Sequence, residues 1–238
     1  FSYFHEWVKG NPSRRPKHLQ GYSKLRRLGK ILRSLQALPA CYYLIFLDLM
    51  KIALNGATTM YADLETDIKA ASAAGFDLIE LWKSKLLRYL ETHTVEELKT
   101  TLEEANLAPW SINSIEHISF RSEEDHEKIK AECRKLAEIA KALGCPYIVV
   151  VPGKLPRGAS EGSLIDGSVR ALDELADIAE PYGVGLAFEF LGQTDCSVQT
   201  LDLAKKIVEK VNRTSVGLVI DSFHFYAGNS TFGAIDTL

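Results

Sequence analysis

From Lys51 onward the chain alternates short apolar runs with longer stretches whose apolar positions recur every three or four residues, the pattern of strands alternating with amphipathic helices. Lys51–Asn55 reads as a first strand. Leu64, Ile68, Ala71 and Ala74 then recur at helical spacing, with Gly75 placed to end that helix. Phe76–Trp82 is a second strand with Glu80 inside it. Thr94 and Glu97 have the spacing of a capping box ahead of Leu98, Leu102 and Ala105, and Pro109–Ile115 follows as the third strand. Ser122–Leu143 carries Ile129, Cys133, Leu136, Ile139, Ala140 and Leu143 on one helical face and stops at Gly144. Tyr147–Val151 is the fourth strand, closed by Pro152-Gly153. A polar loop from Gly153 to Gly162 suits the rim of a site. A helix over Leu164–Tyr182, a fifth strand from Gly185 ending on Glu189, a helix over Thr200–Val211 and a sixth strand from Val216 ending on Asp221 complete the pattern.

Strands that alternate with helices imply a parallel sheet joined by right-handed crossovers. An open doubly wound sheet normally carries a Gly-rich phosphate turn after its first strand, and Asn55-Gly56-Ala57-Thr58 lacks the GxGxxG pattern. Acids at the ends of successive strands fit instead the catalytic C-terminal face of an α/β parallel TIM barrel. Such a barrel has eight strands and about 250 residues. Only 189 residues follow Leu49, so about six of the eight strands are expected here, with the C-terminal pair lying beyond Leu238.

Charge divides the chain. Residues 1–49 hold nine Lys/Arg against two Asp/Glu, a formal +7, whereas residues 50–238 hold 19 against 29, a formal −10. The basic run ahead of the apolar stretch Ala37–Met50 looks like a targeting signal, but the stretch is short for a membrane span. The expected native domain is 50–238, beginning at Met50, with 1–49 as a leader outside it. An acidic body argues against a nucleic-acid backbone as partner. Cys41, Cys133, Cys145 and Cys196 form no CxxC pair and read as reduced thiols of a cytoplasmic protein.

The chemistry sits at two strand ends. In Val216–Tyr226, VGLVIDSFHFY, an apolar run stops at Asp221 with His224 three residues on, and one unit earlier GLAF runs into Glu189. Carboxylates at the ends of buried strands need a cation, so these are candidate oxygen ligands converging on one rim. The segments Ala176–Gly192 (ADIAEPYGVGLAFEFLG), Val211–Gly228 (VNRTSVGLVIDSFHFYAG) and Lys51–Thr59 (KIALNGATT) together resemble the xylose-isomerase-like barrel family of sugar isomerases and epimerases, and within it the inosose isomerases of inositol catabolism.

That resemblance implies a metal-dependent isomerase or epimerase that moves a proton between the carbons flanking a ketone and a hydroxyl, through an enediolate. It implies one divalent ion (Mn, Mg, Co or Zn) held by Glu189 and Asp221, by a His from strand seven and by a Glu from strand eight. Glu189 would also transfer the proton, His224 would approach a substrate oxygen, and Asp195 would stand where the epimerases have a substrate-binding acid. Asn55, Glu80, Trp82, Asn113 and Lys154 lie near strand ends and are candidates to line a keto-polyol or keto-sugar pocket, against an equal reading as rim packing. His117 and His126, among Glu116, Glu123, Glu124 and Asp125, read as a solvated charged surface. Two other functions compete. Abasic-site endonucleases on this barrel carry an extra histidine before the Pro-Gly of strand four, where Val151 stands here; the other is a binding protein or pseudoenzyme with an incomplete metal site. Homo-oligomers are common among related barrels, and a strand edge left after the sixth strand invites association.

Overall fold

The structure is a computed structural model and describes residues 51–236. The 1–49 leader lies outside them. Six parallel strands, β1 (Ala53–Asn55), β2 (Leu78–Trp82), β3 (Ala108–Ile115), β4 (Tyr147–Val150), β5 (Gly185–Glu189) and β6 (Val216–Val219), form one sheet in the order of the sequence. Each strand pairs with the next, so all six C-terminal ends lie on one rim. The sheet does not close within the described residues, where β1 and β6 are its edges.

The helices are α1 (Leu64–Ala73), α2 (Lys83–Tyr89), α3 (Val95–Glu104), α4 (Glu123–Leu143), α5 (Glu161–Ala179), α6 (Leu201–Val211), α7 (Ser222–Ala227) and α8 (Phe232–Ile235). Their ends follow the capping chemistry of the sequence. Thr94 and Glu97 form the reciprocal capping box of α3; Asp63, Ser122, Ser160 and Thr200 cap α1, α4, α5 and α6 through their side-chain oxygens. Gly75 and Gly144 take left-handed φ of 76° and 71° past the ends of α1 and α4. All six apolar positions anticipated for α4 are buried, together with Ala137. Fully burying a side chain of the Leu or Ile kind is worth about 1.5–3 kcal/mol, and α4 alone contributes Ile129, Leu136, Ile139 and Leu143 to the core.

Three elements depart from the sequence expectation. Helix α2 was not anticipated: three of its seven residues are Lys or Arg, and one of them, Lys85, is on the buried face beside Leu86, so no apolar stripe is legible. The helix expected over Leu164–Tyr182 begins earlier, at Glu161, and ends at Ala179, where the chain tightens into a 3-10 turn over Glu180–Tyr182 with Pro181 at its start. The sixth strand ends at Val219, short of Asp221, and is only partly buried: Val216 is buried, Gly217 exposed and Ile220 40% exposed. No seventh strand covers β6 among the described residues, and the Asp221 carboxylate starts α7 instead of extending the strand.

Candidate active site

Burial alternates along β5, with Leu186 and Phe188 fully enclosed and Gly185, Ala187 and Glu189 half-buried. The two-residue period therefore turns Glu189 away from the face that carries Leu186 and Phe188. In β2 the same alternation encloses Ile79 and Leu81 and leaves Glu80 and Trp82 half-buried. Glu80 is held by its neighbour strand: Ser111 Oγ donates to Glu80 Oε2 at 2.5 Å and Asn113 Nδ2 donates to Oε1 at 2.8 Å. Neither partner was assigned to Glu80 from sequence. The readable signal was the polar pair Ser111 and Asn113 at i, i+2 within β3, a spacing that puts both on one face.

Asp221 is the N-cap of α7, its Oδ1 accepting the backbone N–H of His224 at 2.8 Å. Gly192 N–H donates in turn to His224 Nδ1 at 3.3 Å. An Nδ1 that accepts carries no proton, which puts the proton of the neutral ring on Nε2. Burial pushes the Glu189 carboxyl up to about 7, and the negative charges of Asp221 and Glu80 push in the same direction. Three acids thus share one electrostatic environment on the rim. Among the described residues no Lys or Arg forms an ion pair with Glu80, Glu189 or Asp221.

Carboxylate oxygens are hard donors of the kind that suit a divalent cation, and no Lys or Arg of the described residues pairs with these three. No three His, Cys, Asp or Glu of the described residues gather closely enough to hold a metal ion.

The other candidates take distinct roles. Asn55 lies opposite Glu80 in register, with its Oδ1 accepting Ala57 N–H at 2.8 Å to start the turn after β1. Asp195 is exposed and lines a recess with Lys154 and His117. His126 does not join His117: it contacts Glu174 of α5 at 2.6 Å and ties α4 to α5. The buried pair Lys85–Asp67, with side chains 4% and 1% exposed, was also not anticipated. It sits under the turn after β1, where Lys85 Nζ donates to Thr59 O at 2.7 Å.

Residues 68–236 match the family described as xylose isomerase-like TIM barrel. The chain belongs to the xylose isomerase-like TIM barrel family. Among curated relatives, the inosose isomerase of Halalkalibacterium halodurans is 36% identical over 189 residues, covering 79% of this chain and 67% of that protein. The inosose isomerase of Bacillus subtilis is 37% identical over 188 residues, covering 78% and 68%. Among solved structures, the IolI protein with a bound zinc atom superposes with a TM-score of 0.77 at 37% identity, over 79% of this chain and 69% of that one. A D-psicose 3-epimerase from Clostridium cellulolyticum H10, 21% identical with a TM-score of 0.65 over 79% and 69%, shares the fold. The chain thus spans about two thirds of the length of these relatives.

Proposed function

We propose that this member of the xylose isomerase-like family is an enzyme that isomerises or epimerises a keto-polyol or keto-sugar, an inosose in the first instance. The observation that carries the reading is the raised carboxyl of Glu189 at its strand end, on which the charges of Asp221 and Glu80 bear while no Lys or Arg of the described residues pairs with any of the three. Two inosose isomerases and a zinc-bearing neighbour of similar sequence support it.

Glu189 and Asp221 would hold one divalent ion, with further ligands from outside the described residues. When bound, that ion supplies Lewis-acid polarisation of the substrate carbonyl. Glu189, whose carboxyl is raised to about 7 without a metal, takes the proton from the hydroxyl-bearing carbon next to the carbonyl and returns it to the former carbonyl carbon in isomerisation, where the hydroxyl proton passes to the other oxygen, or to the opposite face of the same carbon in epimerisation. Glu80 is fixed by two donors and orients a substrate hydroxyl on the same rim. His224 presents its Nε2–H as a donor to a substrate oxygen, because its Nδ1 is engaged by Gly192. Asp195 accepts from a more distant hydroxyl, and Asn55 borders the pocket at β1. The substrate is a small molecule; the formal −10 of residues 50–238 disfavours nucleic acid. Cys133, Cys145 and Cys196 are free and buried, in keeping with a reducing, cytoplasmic setting. Among the described residues no helix is long and apolar enough to cross a membrane.

The test is solvent-deuterium incorporation next to the carbonyl of an inosose, with added divalent metal. Incorporation that depends on metal and disappears in Glu189→Ala supports the reading. No incorporation above that variant, across inososes and ketohexoses, overturns it.

A further inference from the structure

Strand β2 brings two unlike side chains to the face that carries the acids. Ile79 and Leu81 are fully enclosed on one side, so Glu80 and Trp82, at i and i+2, share the other. The register with β3 agrees: Trp82 stands opposite Asn113, and the Asn113 side chain donates to Glu80 Oε1 at 2.8 Å. An indole thus lies beside the clamped carboxylate, at the last residue of the strand.

One side of that indole is occupied. Lys85 Nζ lies over the ring, 6.0 Å from its centroid, and Lys85 is itself buried in its pair with Asp67. The open part of this half-buried ring is therefore the part turned away from Lys85. Its Nε1–H has no hydrogen-bond partner among the described residues and is not closed to solvent. A buried indole N–H normally finds a partner, so the ring edge here faces the open side. The backbone behind it is firm: a Cβ on Gly56 would come within 3.2 Å of Trp82 N and of Glu80 O, so the turn after β1 packs directly on the end of β2. Trp82 is fixed from behind and free in front.

We propose that Trp82 is a specificity-determining residue: a stacking platform for the C–H face of a six-membered cyclic polyol, which selects ring substrates over open-chain keto-sugars. In a chair with equatorial hydroxyls the C–H bonds are axial and cover both faces, so such a molecule is polar at its edge and apolar on its faces. The face of an indole is the negative side of its quadrupole and attracts weakly positive hydrogens. The hydroxyl edge then falls to Glu80, two residues back on the same side of the strand. An open-chain keto-polyol turns no flat face to the ring and gains little from it, and an anionic sugar meets the Glu80 carboxylate. The assignment rests on the isomerase reading for the ketone and deepens it by naming ring over chain.

The test follows the indole N–H signal of Trp82 by ¹H–¹⁵N NMR in the full chain with added Mg²⁺, the signal being assigned by its loss in Trp82→Tyr. The titrants are an inosose, myo-inositol, which is a ring without a ketone, and erythrulose, an open-chain keto-polyol too short to close a stable ring. The inosose and myo-inositol should shift the signal and erythrulose should not. Trp82→Leu, which keeps an apolar side chain without a π face, should weaken inosose binding roughly three- to tenfold and leave erythrulose within about twofold, and Trp82→Tyr should restore most of the inosose affinity. The rest of the spectrum reports whether each variant is folded, and the parent titration decides the matter if Trp82→Leu is not. A Trp82 signal unmoved by both ring polyols, or moved equally by erythrulose, overturns the platform, as do equal losses for inosose and erythrulose in Trp82→Leu. Deuterium exchange reports the isomerase reading separately: exchange with a silent Trp82 removes only the platform, and a Trp82 response to myo-inositol without exchange removes only the reaction.

Discussion

Asp221 Oδ1 accepts the backbone N–H of His224 at 2.8 Å, so the carboxylate that bears on Glu189 is also the group that starts α7. One side chain therefore has a structural and an electrostatic task, and substitution can separate them. Asn caps helices about as well as Asp, whereas Ala costs about 0.5–2 kcal/mol at an N-cap. Asp221→Ala should lower stability by that amount and weaken divalent-metal binding. Asp221→Asn should keep the stability within about 0.5 kcal/mol and still lose metal affinity. Thermal melts beside a metal titration read the two effects; equal metal affinity in Asp221→Asn and the parent chain would remove Asp221 from the ligand set.

The raised carboxyl of Glu189 has a stability consequence in the metal-free chain. Its folded-state value of about 7 lies above the unfolded 4.5, so the folded form binds more protons between those values. Stability is then fully present below about pH 4.5 and is lost as pH rises through about 7. Allowing for partial exposure, the loss is on the order of 1–3 kcal/mol. Urea midpoints should fall between pH 5 and pH 8 in the presence of a chelator. Glu189→Gln should flatten that fall, and a bound divalent ion should do so as well by taking the place of the proton. An unchanged slope in Glu189→Gln would contradict the cause assigned to the shift.

Most of this architecture was legible because periodicity reports burial. The apolar face of α4, Leu64, Ile68 and Ala71 of α1, Leu98 and Leu102 of α3, the helix α6 and the strand ending on Glu189 lie where the pattern puts them, while Ala74 is exposed past the end of α1. Helix α2, His117 and the Glu80 clamp share a physical cause for being missed: their signal is carried by polar residues whose partners are remote in sequence. Lys85 is buried because Asp67, 18 positions earlier, meets it, and a charge-rich stretch such as Lys83–Tyr89 hides its helix for that reason. His117 reads as surface beside Glu116, and only loops from three strands, 34 or more positions apart at Gly153–Ser119, turn it into part of a recess. The Glu80 clamp was half legible: the acid stood out, but its donors lie 31 and 33 positions away.

Gly192 is the point at which the loop after β5 touches α7. A Cβ there would come within 2.5 Å of Gly228 N and 2.6 Å of His224 O, both backbone atoms that cannot swing aside. Gly192→Ala should therefore push α7 away and break the Gly192–His224 hydrogen bond, at a cost of about 1–3 kcal/mol. Imidazole ¹⁵N spectra of His224 should shift from a single Nε2–H tautomer toward a mixture. A parent-like spectrum in Gly192→Ala would mean that Gly192 does not fix the ring.

Lys85 and Asp67 set the stability of the β1 end of the rim. Lys85 Nζ spends its three donors on Asp67 Oδ2 at 2.5 Å, Thr59 O at 2.7 Å and Thr59 Oγ1 at 3.2 Å, and Thr59 Oγ1 donates to Asp67 Oδ1 at 2.7 Å. Every charge is answered, but only as a set. Removing one partner strands the other away from water, which costs about 3–5 kcal/mol, whereas replacing both by apolar groups of similar volume is often neutral or stabilising. Lys85→Met and Asp67→Leu should each be strongly destabilising, and the double variant should recover most of the loss, giving a coupling energy of at least about 2 kcal/mol in a double-mutant cycle. The turn over Gly56–Thr59, which Asn55 opens, should show faster amide exchange in each single variant and return toward the parent rate in the double. Additive single effects with no recovery would show that Lys85 and Asp67 contribute through separate contacts, and would leave the anchoring of Asn55 at the rim to the turn itself.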